Sequence, residues 1–271
     1  MPDNAAQLLA ALQNQDGGFP PSAGASSEPE ATSLAAIALD DANARAWLAS
    51  HQRSDGGFII GPDNVLNDST TPLAALALPA GGARDRALDY VQAHQAPKLG
   101  PDDRIPHDPN TRGWGWTSTT FGWVEPSARA LLVLKLLRPD APQIADGNVV
   151  MSDRECHDGG WNYGNKEVFG KLYEPFLQTT AIGLLSVQDR TDGLRERAIA
   201  VVERLWRAEP GGLGWGQAAA ALHTLDRADP DLDAALGSLV STTRLLGDTV
   251  ALAWTAIALG DAIDEIRIRP K

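Results

Sequence analysis

The sequence predicts an all-α protein whose helices close into a ring, an α/α toroid. Three observations predict it: a repeat of 39 residues, two kinds of helix alternating along the chain, and a last helix as apolar as the middle ones.

The repeat comes first, because internal similarity decides the architecture. Gln13-Asn14-Gln15-Asp16-Gly17-Gly18-Phe19 recurs as Gln52-Arg53-Ser54-Asp55-Gly56-Gly57-Phe58. Glu30-Ala31-Thr32-Ser33-Leu34 recurs as Ser69-Thr70-Thr71-Pro72-Leu73, at the same offset. Looser copies follow at Glu125-Pro126-Ser127-Ala128 and at Asp158-Gly159-Gly160-Trp161 with Gln178-Thr179-Thr180.

Each unit reads as two helices. The first is charged on one face, as in Ala44 to Gln52 or Leu194 to Trp206, which makes it a half-exposed outer helix. The second is Ala-rich and apolar nearly all round, as in Thr32 to Leu39, so it is buried on both sides. Outer helices are expected near 4–14, 41–52, 82–96, 140–155, 192–207 and 231–242. Inner helices are expected near 30–39, 70–79, 125–137, 178–188, 216–226 and 248–260. An open solenoid needs polar caps at both ends. Thr249 to Leu259 is no such cap, so the last pair closes on the first. The chain reads as one domain over residues 1–271.

Composition narrows the function. A net charge of −12 argues against nucleic-acid binding, which depends on neutralising phosphates. No run of about 18 apolar residues and no signal-like leader is seen, so a cytoplasmic protein is the expectation. Cys156 is the single cysteine and cannot form an internal disulfide. No phosphate-binding Gly loop or Gly-x-Ser-x-Gly appears.

The Gln-x-x-Asp-Gly-Gly-Phe/Trp turns with Thr-containing Ala/Leu helices resemble the QW-type repeats of squalene–hopene cyclases and the β subunits of protein prenyltransferases. The resemblance covers nearly the whole chain. It implies an α6/α6 barrel around an apolar, aromatic-lined cavity for an isoprenoid. Two departures limit it. The Asp-x-Asp-Asp acid motif is absent, and Glu28-Pro29-Glu30 is the nearest sequence in that part of a repeat. The zinc-binding Asp-x-Cys is replaced by Glu125-Pro126-Ser127, so no metal and no cofactor is expected.

The candidate catalytic groups are therefore acids that open inner helices: Glu125, Glu30 and Asp248. A carboxyl against apolar walls can stay protonated and act as a general acid; the bland alternative is helix capping. Candidate substrate contacts are aromatics in two long connections and near the last repeats: Trp114, Trp116, Phe121, Trp123, Trp161, Tyr163, Tyr173 and Trp215, with Gln178 at an inner-helix start. Their faces can line an apolar pocket or stabilise a carbocation, or else pack as a plug. Cys156-His157-Asp158 reads as structural.

Three readings follow. The first is an enzyme that cyclises or isomerises an isoprenoid-like apolar substrate by acid initiation. The second is a toroid that only binds an apolar ligand, with peripheral membrane contact left open. The third is an interaction module with a plugged ring. A hollow apolar ring favours the first two; a filled ring beside an exposed apolar patch favours the third.

Overall fold

A computed structural model describes residues 2–60, 65–66, 69–100, 107–117, 119–241 and 247–269. The elements are α1 (Pro2–Ala10), α2 (Pro29–Leu39), α3 (Ala42–His51), β1 (Ile59–Ile60), β2 (Val65–Leu66), α4 (Thr71–Ala77), α5 (Gly82–Ala93), α6 (Val124–Leu137), α7 (Gln143–Asp153), β3 (Glu167–Val168), β4 (Lys171–Leu172), α8 (Leu177–Ser186), α9 (Leu194–Ala208), α10 (Gly212–His223), α11 (Pro230–Ser241) and α12 (Thr249–Leu259). A 3-10 helix, Asp261–Ile266, follows. The strands form two antiparallel hairpins, β1 with β2 and β3 with β4.

The inner helices are α2, α4, α6, α8, α10 and α12. Each packs on the next, and α12 packs back on α2, so the ring is closed. The outer helices α3, α5, α7, α9 and α11 each pack on the inner helix before them. Helix α1 packs on α12 and seals the seam. The chain is therefore an α/α toroid, as its repeat predicts.

The repeat has a mechanical meaning. The first Gly of each Asp-Gly-Gly turn lies at positive φ: Gly17 at 87°, Gly56 at 95° and Gly159 at 91°. Asp16 and Asp55 each accept from the amide two residues on. The aromatic that follows then donates its own amide to a hydroxyl on the inner helix. Phe19 N bonds Thr32 Oγ1 at 2.9 Å and Phe58 N bonds Thr71 Oγ1 at 3.3 Å. Trp114 N bonds Ser127 Oγ at 2.9 Å and Trp161 N bonds Thr180 Oγ1 at 3.0 Å. The Thr and Ser positions thus tie the turn to the inner wall, because a buried loop N–H needs a partner.

Two boundaries differ from the sequence expectation by four residues, and the first is the end of α1, at Ala10 instead of 14. Helix α10 begins at Gly212, four residues before the expected 216. Gly212-Leu213-Gly214-Trp215-Gly216 reads locally as a turn, yet it is helical because it must press on α12. A Cβ on Gly216 would lie 3.1 Å from the Trp254 Cβ and the Thr255 amide. Close packing overrides the poor helix propensity of Gly here.

The inner helices start at one mouth and end at the other. Glu209, just before α10, accepts from Leu177 N at the start of α8. Thr249 N, at the start of α12, bonds Pro21 O ahead of α2. Aligned helices add their dipoles, and the charges match. Acids gather at the N-terminal mouth: Glu30, Glu125, Glu209 and Asp248. Basic groups cap C-terminal carbonyls at the opposite mouth: Arg45 on Ala77 O, Arg84 on Leu78 O, Lys135 on Ser186 O and Arg267 on Thr224 O. The chain end then floors that mouth. The 3-10 helix packs on α12 and α2. Beyond it, Gln188 holds Ile266 O and Ile268 N.

Candidate functional site at the N-terminal mouth

The ring axis is filled, which corrects the expectation of a central cavity. Arg129 on α6 bonds Glu30 on α2 at 2.7 Å, and α4 stands between those two helices in the ring. The side chain therefore crosses the interior. Arg129 is the sixth residue of its helix, as are Leu34 in α2, Ile182 in α8, Gln217 in α10 and Trp254 in α12. Leu73 is the repeat equivalent in α4. All six are at most 4% exposed. One turn further in, Ile37, Leu76, Leu132, Leu185 and Ile257 are at most 7% exposed.

The plug is polar on top. Nη2 of Arg129 donates to Glu30 at 2.7 Å and to Glu125 at 2.6 Å, and Nη1 reaches Ser69 O at 3.5 Å. The two flanking carboxylates hold the buried guanidinium above its ordinary pKa despite the opposing cost of desolvation. Around it, Arg129 Nε, Thr70 Oγ1, Gln217 Oε1, Thr249 Oγ1 and Trp254 Nε1 are buried with no hydrogen-bond partner among the described residues. They come from three inner helices, α6, α10 and α12, and from the residue just before α4.

Glu28, just before α2, completes the acids. Burial first, and then the neighbouring Glu30, push its carboxyl above the usual carboxylate range. A raised carboxyl pKa in the fold means stability that is full below the unfolded pKa and is lost as pH rises through the folded value. Glu28→Gln should therefore unfold at higher denaturant than the parent at pH 7, and the difference should vanish towards pH 4. Urea unfolding at the two values checks it; an unchanged difference across that range would reject the assignment.

The predicted residues divide into three groups. Glu30 and Glu125 are brought together by Arg129, each with about a fifth of its side chain exposed at the mouth. Asp248 sits exposed on the rim, where its carboxylate caps α12 by accepting from Ala251 N at 3.0 Å. Trp114 and Trp161 lie in the wall instead of the mouth. Both are at most 1% exposed, and their indole N–H groups bond Val91 O and Met151 O. Trp215 is stitched to Trp206 O and Glu209 O. Trp116 is half-buried on the loop ahead of α6. Phe121 and Trp123 stack at 4.5 Å, also half-buried.

Tyr163 and Phe176 are the aromatics that reach solvent beside an opening. Their rings lie 5.3 Å apart, and Tyr163 O accepts from Val124 N, next to Glu125. With Gln178, Thr179, Glu209 and Gly211 they line a cleft of about 230 Å³ over the starts of α8 and α10. Glu209 is the only charged side chain lining it. Tyr173 stands on the β3–β4 hairpin, 42% exposed, with Lys171 over its ring at 5.7 Å.

Glu28, Arg129, Glu209, Gln217 and Trp254 are site residues that the sequence reading passed over. Arg129 had a signal: a lone charge in an apolar helix, four residues after Glu125. Glu28 had one as well, in the Glu28-Pro29-Glu30 segment; Glu209 lies in a connection between helices, and Gln217 and Trp254 depend on which helix face meets the axis.

Other chemistry is limited. Cys156 is buried, and desolvation pushes its thiol up, the reverse of an activated nucleophile. Ser127, at the prenyltransferase thiolate position, has its hydroxyl engaged by Trp114. Among the described residues no three His, Cys, Asp or Glu side chains are grouped to hold a metal, and no helix is long and apolar enough to cross a membrane. Arg154 anchors the loop ahead of α6 through Thr111 Oγ1, and burial pulls its guanidinium down to about 10.

Comparison with known proteins adds to the fold. No protein-family model matches the chain and no curated sequence does. Solved structures do. A protein from Actinoplanes superposes with a TM-score of 0.56 at 15% identity, over 98% of each chain. The GH76A alpha-1,6-mannanase from Salegentibacter gives 0.61 at 11% identity, again over 98% of each chain. The type II terpene cyclase MstE from Scytonema, solved with geranylgeranyl dihydroxybenzoate, gives 0.56 at 13% identity, over 99% of this chain and 97% of the other. These likenesses define the class by its fold alone, an α/α toroid. Identities this low carry the fold and no activity.

Proposed function

We propose that this toroid is a binding protein that works at its N-terminal mouth, taking an amphipathic ligand with a cationic head. One observation carries the reading: the axis is filled by Arg129, Gln217, Trp254 and three aliphatic side chains, while aromatic rings and carboxylates are presented around the opening. A filled axis cannot enclose a polyprenyl chain. The mouth offers Tyr163 and Phe176 for an apolar portion and Glu30, Glu125 and Glu209 for a positive group. Aromatic faces also attract cations directly, by about 0.5–1 kcal/mol at exposed sites.

Dodecyltrimethylammonium, kept below its critical micelle concentration, is a suitable probe by calorimetric titration. The parent should bind it saturably, and dodecyl sulfate should not compete. Tyr163→Ala should weaken binding about tenfold, equivalent to about 1.4 kcal/mol. Equal affinity for both detergents, or a Tyr163→Ala variant that binds like the parent, would refute this reading.

A second reading is favoured by Glu28. A half-buried carboxyl above its ordinary range, beside Glu30 at an apolar helix start, suits a general acid for isoprenoid cyclisation. This reading needs the substrate to react in the mouth and not within the ring.

A further inference from the structure

Seven large apolar side chains are exposed among the described residues, and five of them fall within residues 163–176: Tyr163, Phe169, Leu172, Tyr173 and Phe176. This is one surface, and it is the β3–β4 hairpin with its two feet. Phe169 is 93% exposed at the tip. It lies at φ 51° and Gly170 at φ 75°, so both residues of the two-residue turn are left-handed. Such turns match the twist of a hairpin but favour Asn or Asp over a bulky ring in the first place. A Phe held this way exposes its whole ring to water at a conformational cost.

The strands of the hairpin pair with each other and form no substantial packing with any helix. Its base is held by the buried Asn162 and by Lys166, whose Nζ donates to Asp153 O at the end of α7 at 2.6 Å. Asn162, 4% exposed, donates from Nδ2 to Asn165 O at 3.1 Å and to Glu174 O at 3.4 Å, one on each limb. Its Oδ1 accepts from the amides of Gly164 and Asn165. Tyr173 N bonds Lys166 O across the limbs. The result is a short arm on a fixed foot. A strand rises about 3.3 Å per residue, so Phe169 sits about 10 Å above the foot. That foot is the cleft itself: Tyr163 lies just before the arm and Phe176 just after it, and both line the cleft.

From this arrangement we infer that the 165–174 hairpin is the missing wall of the ligand site: it folds over the Tyr163–Phe176 cleft when an amphipathic cation occupies it, and Phe169 covers the ligand's apolar chain. The inference rests on the mouth-binding reading and deepens it. Folding over explains why the exposed rings are gathered on the arm beside the cleft and not spread over the surface. It also sets the ligand class. The open cleft, about 230 Å³, is small for a drug-sized ligand, whereas cleft and arm together suit a single chain with a compact head.

Chymotrypsin tests this directly, because Phe169 in the open hairpin is a cleavage site. The parent is digested with and without saturating dodecyltrimethylammonium, and cleavage after Phe169 is followed by mass spectrometry. Cleavage should slow at least about tenfold when the probe is bound, and the amides of 166–172 should gain protection from hydrogen exchange. Phe169→Ser should bind the probe at least about fivefold more weakly with its melting temperature unchanged, a readout that a mere turn residue would not give. If the probe binds while cleavage, exchange and the Phe169→Ser affinity all stay as in the free parent, the arm is no wall and the mouth reading stands without it. If the parent binds no probe saturably, the mouth reading falls and the arm's role falls with it.

Discussion

Arg129→Met should destabilise the toroid by about 3–5 kcal/mol, the scale for removing one partner of a buried ion pair. The side chain is 4% exposed, so its charge is almost wholly out of water. Its value lies in its partners. Two carboxylates meet the same nitrogen, one from α2 and one from the first turn of α6, and a third bond reaches the chain entering α4. Three inner helices are thus tied at one point. Methionine keeps the apolar stem and loses every donor. Glu30 and Glu125 would then face each other with no counter-charge between them. Denaturant unfolding of the variant gives the number, and a triple change gives the cause. Arg129→Met combined with Glu30→Gln and Glu125→Gln removes both unpaired charges, so most of the loss should return. A triple variant no more stable than Arg129→Met would mean that the lost packing, and not the stranded charge, sets the cost.

The toroid was legible because its signals are local and repeated. The Asp-Gly-Gly turn declares itself through Gly17, Gly56 and Gly159, and the apolar inner helices through composition alone. Glu30 and Glu125 were also legible as inner-helix acids, since the repeat gives them one position. What composition could not carry was the state of the axis. Trp254 and Gln217 look in sequence like any residue of an Ala-rich helix, yet both point into the plug because of how the ring closes. The aromatic residues were misleading for a related reason. Trp114 and Trp161 follow glycines like Phe19 and Phe58, and all four make the same bond to an inner-helix hydroxyl. That equivalence marks them as wall residues. Tyr163 and Phe176 have no such partner in the repeat, and they are the ones that reach the cleft.

The second large effect concerns catalysis, and it separates the two readings of the mouth. Incubated with a panel of polyprenyl substrates, the parent should yield no cyclised or isomerised product by mass analysis, because buried side chains of the inner helices occupy the axis that such a chain would need. Detectable product would instead require an acid at the mouth, and two variants identify it. Glu28→Gln keeps the shape of the side chain and removes the proton, so turnover should fall at least about a hundredfold if Glu28 is the donor. Glu125→Gln should then act weakly, since its oxygen is already an acceptor from Arg129 and has no proton to give in that bond. The reverse ranking would place the acid at Glu125 and require Arg129 to release it during turnover. A melting temperature unchanged in both variants is needed for either comparison, because the carboxyl at this mouth also helps hold the plug. The first outcome is the expected one, because the Arg129 clamp and the side chains level with it occupy the interior that a folded polyprenyl chain would need.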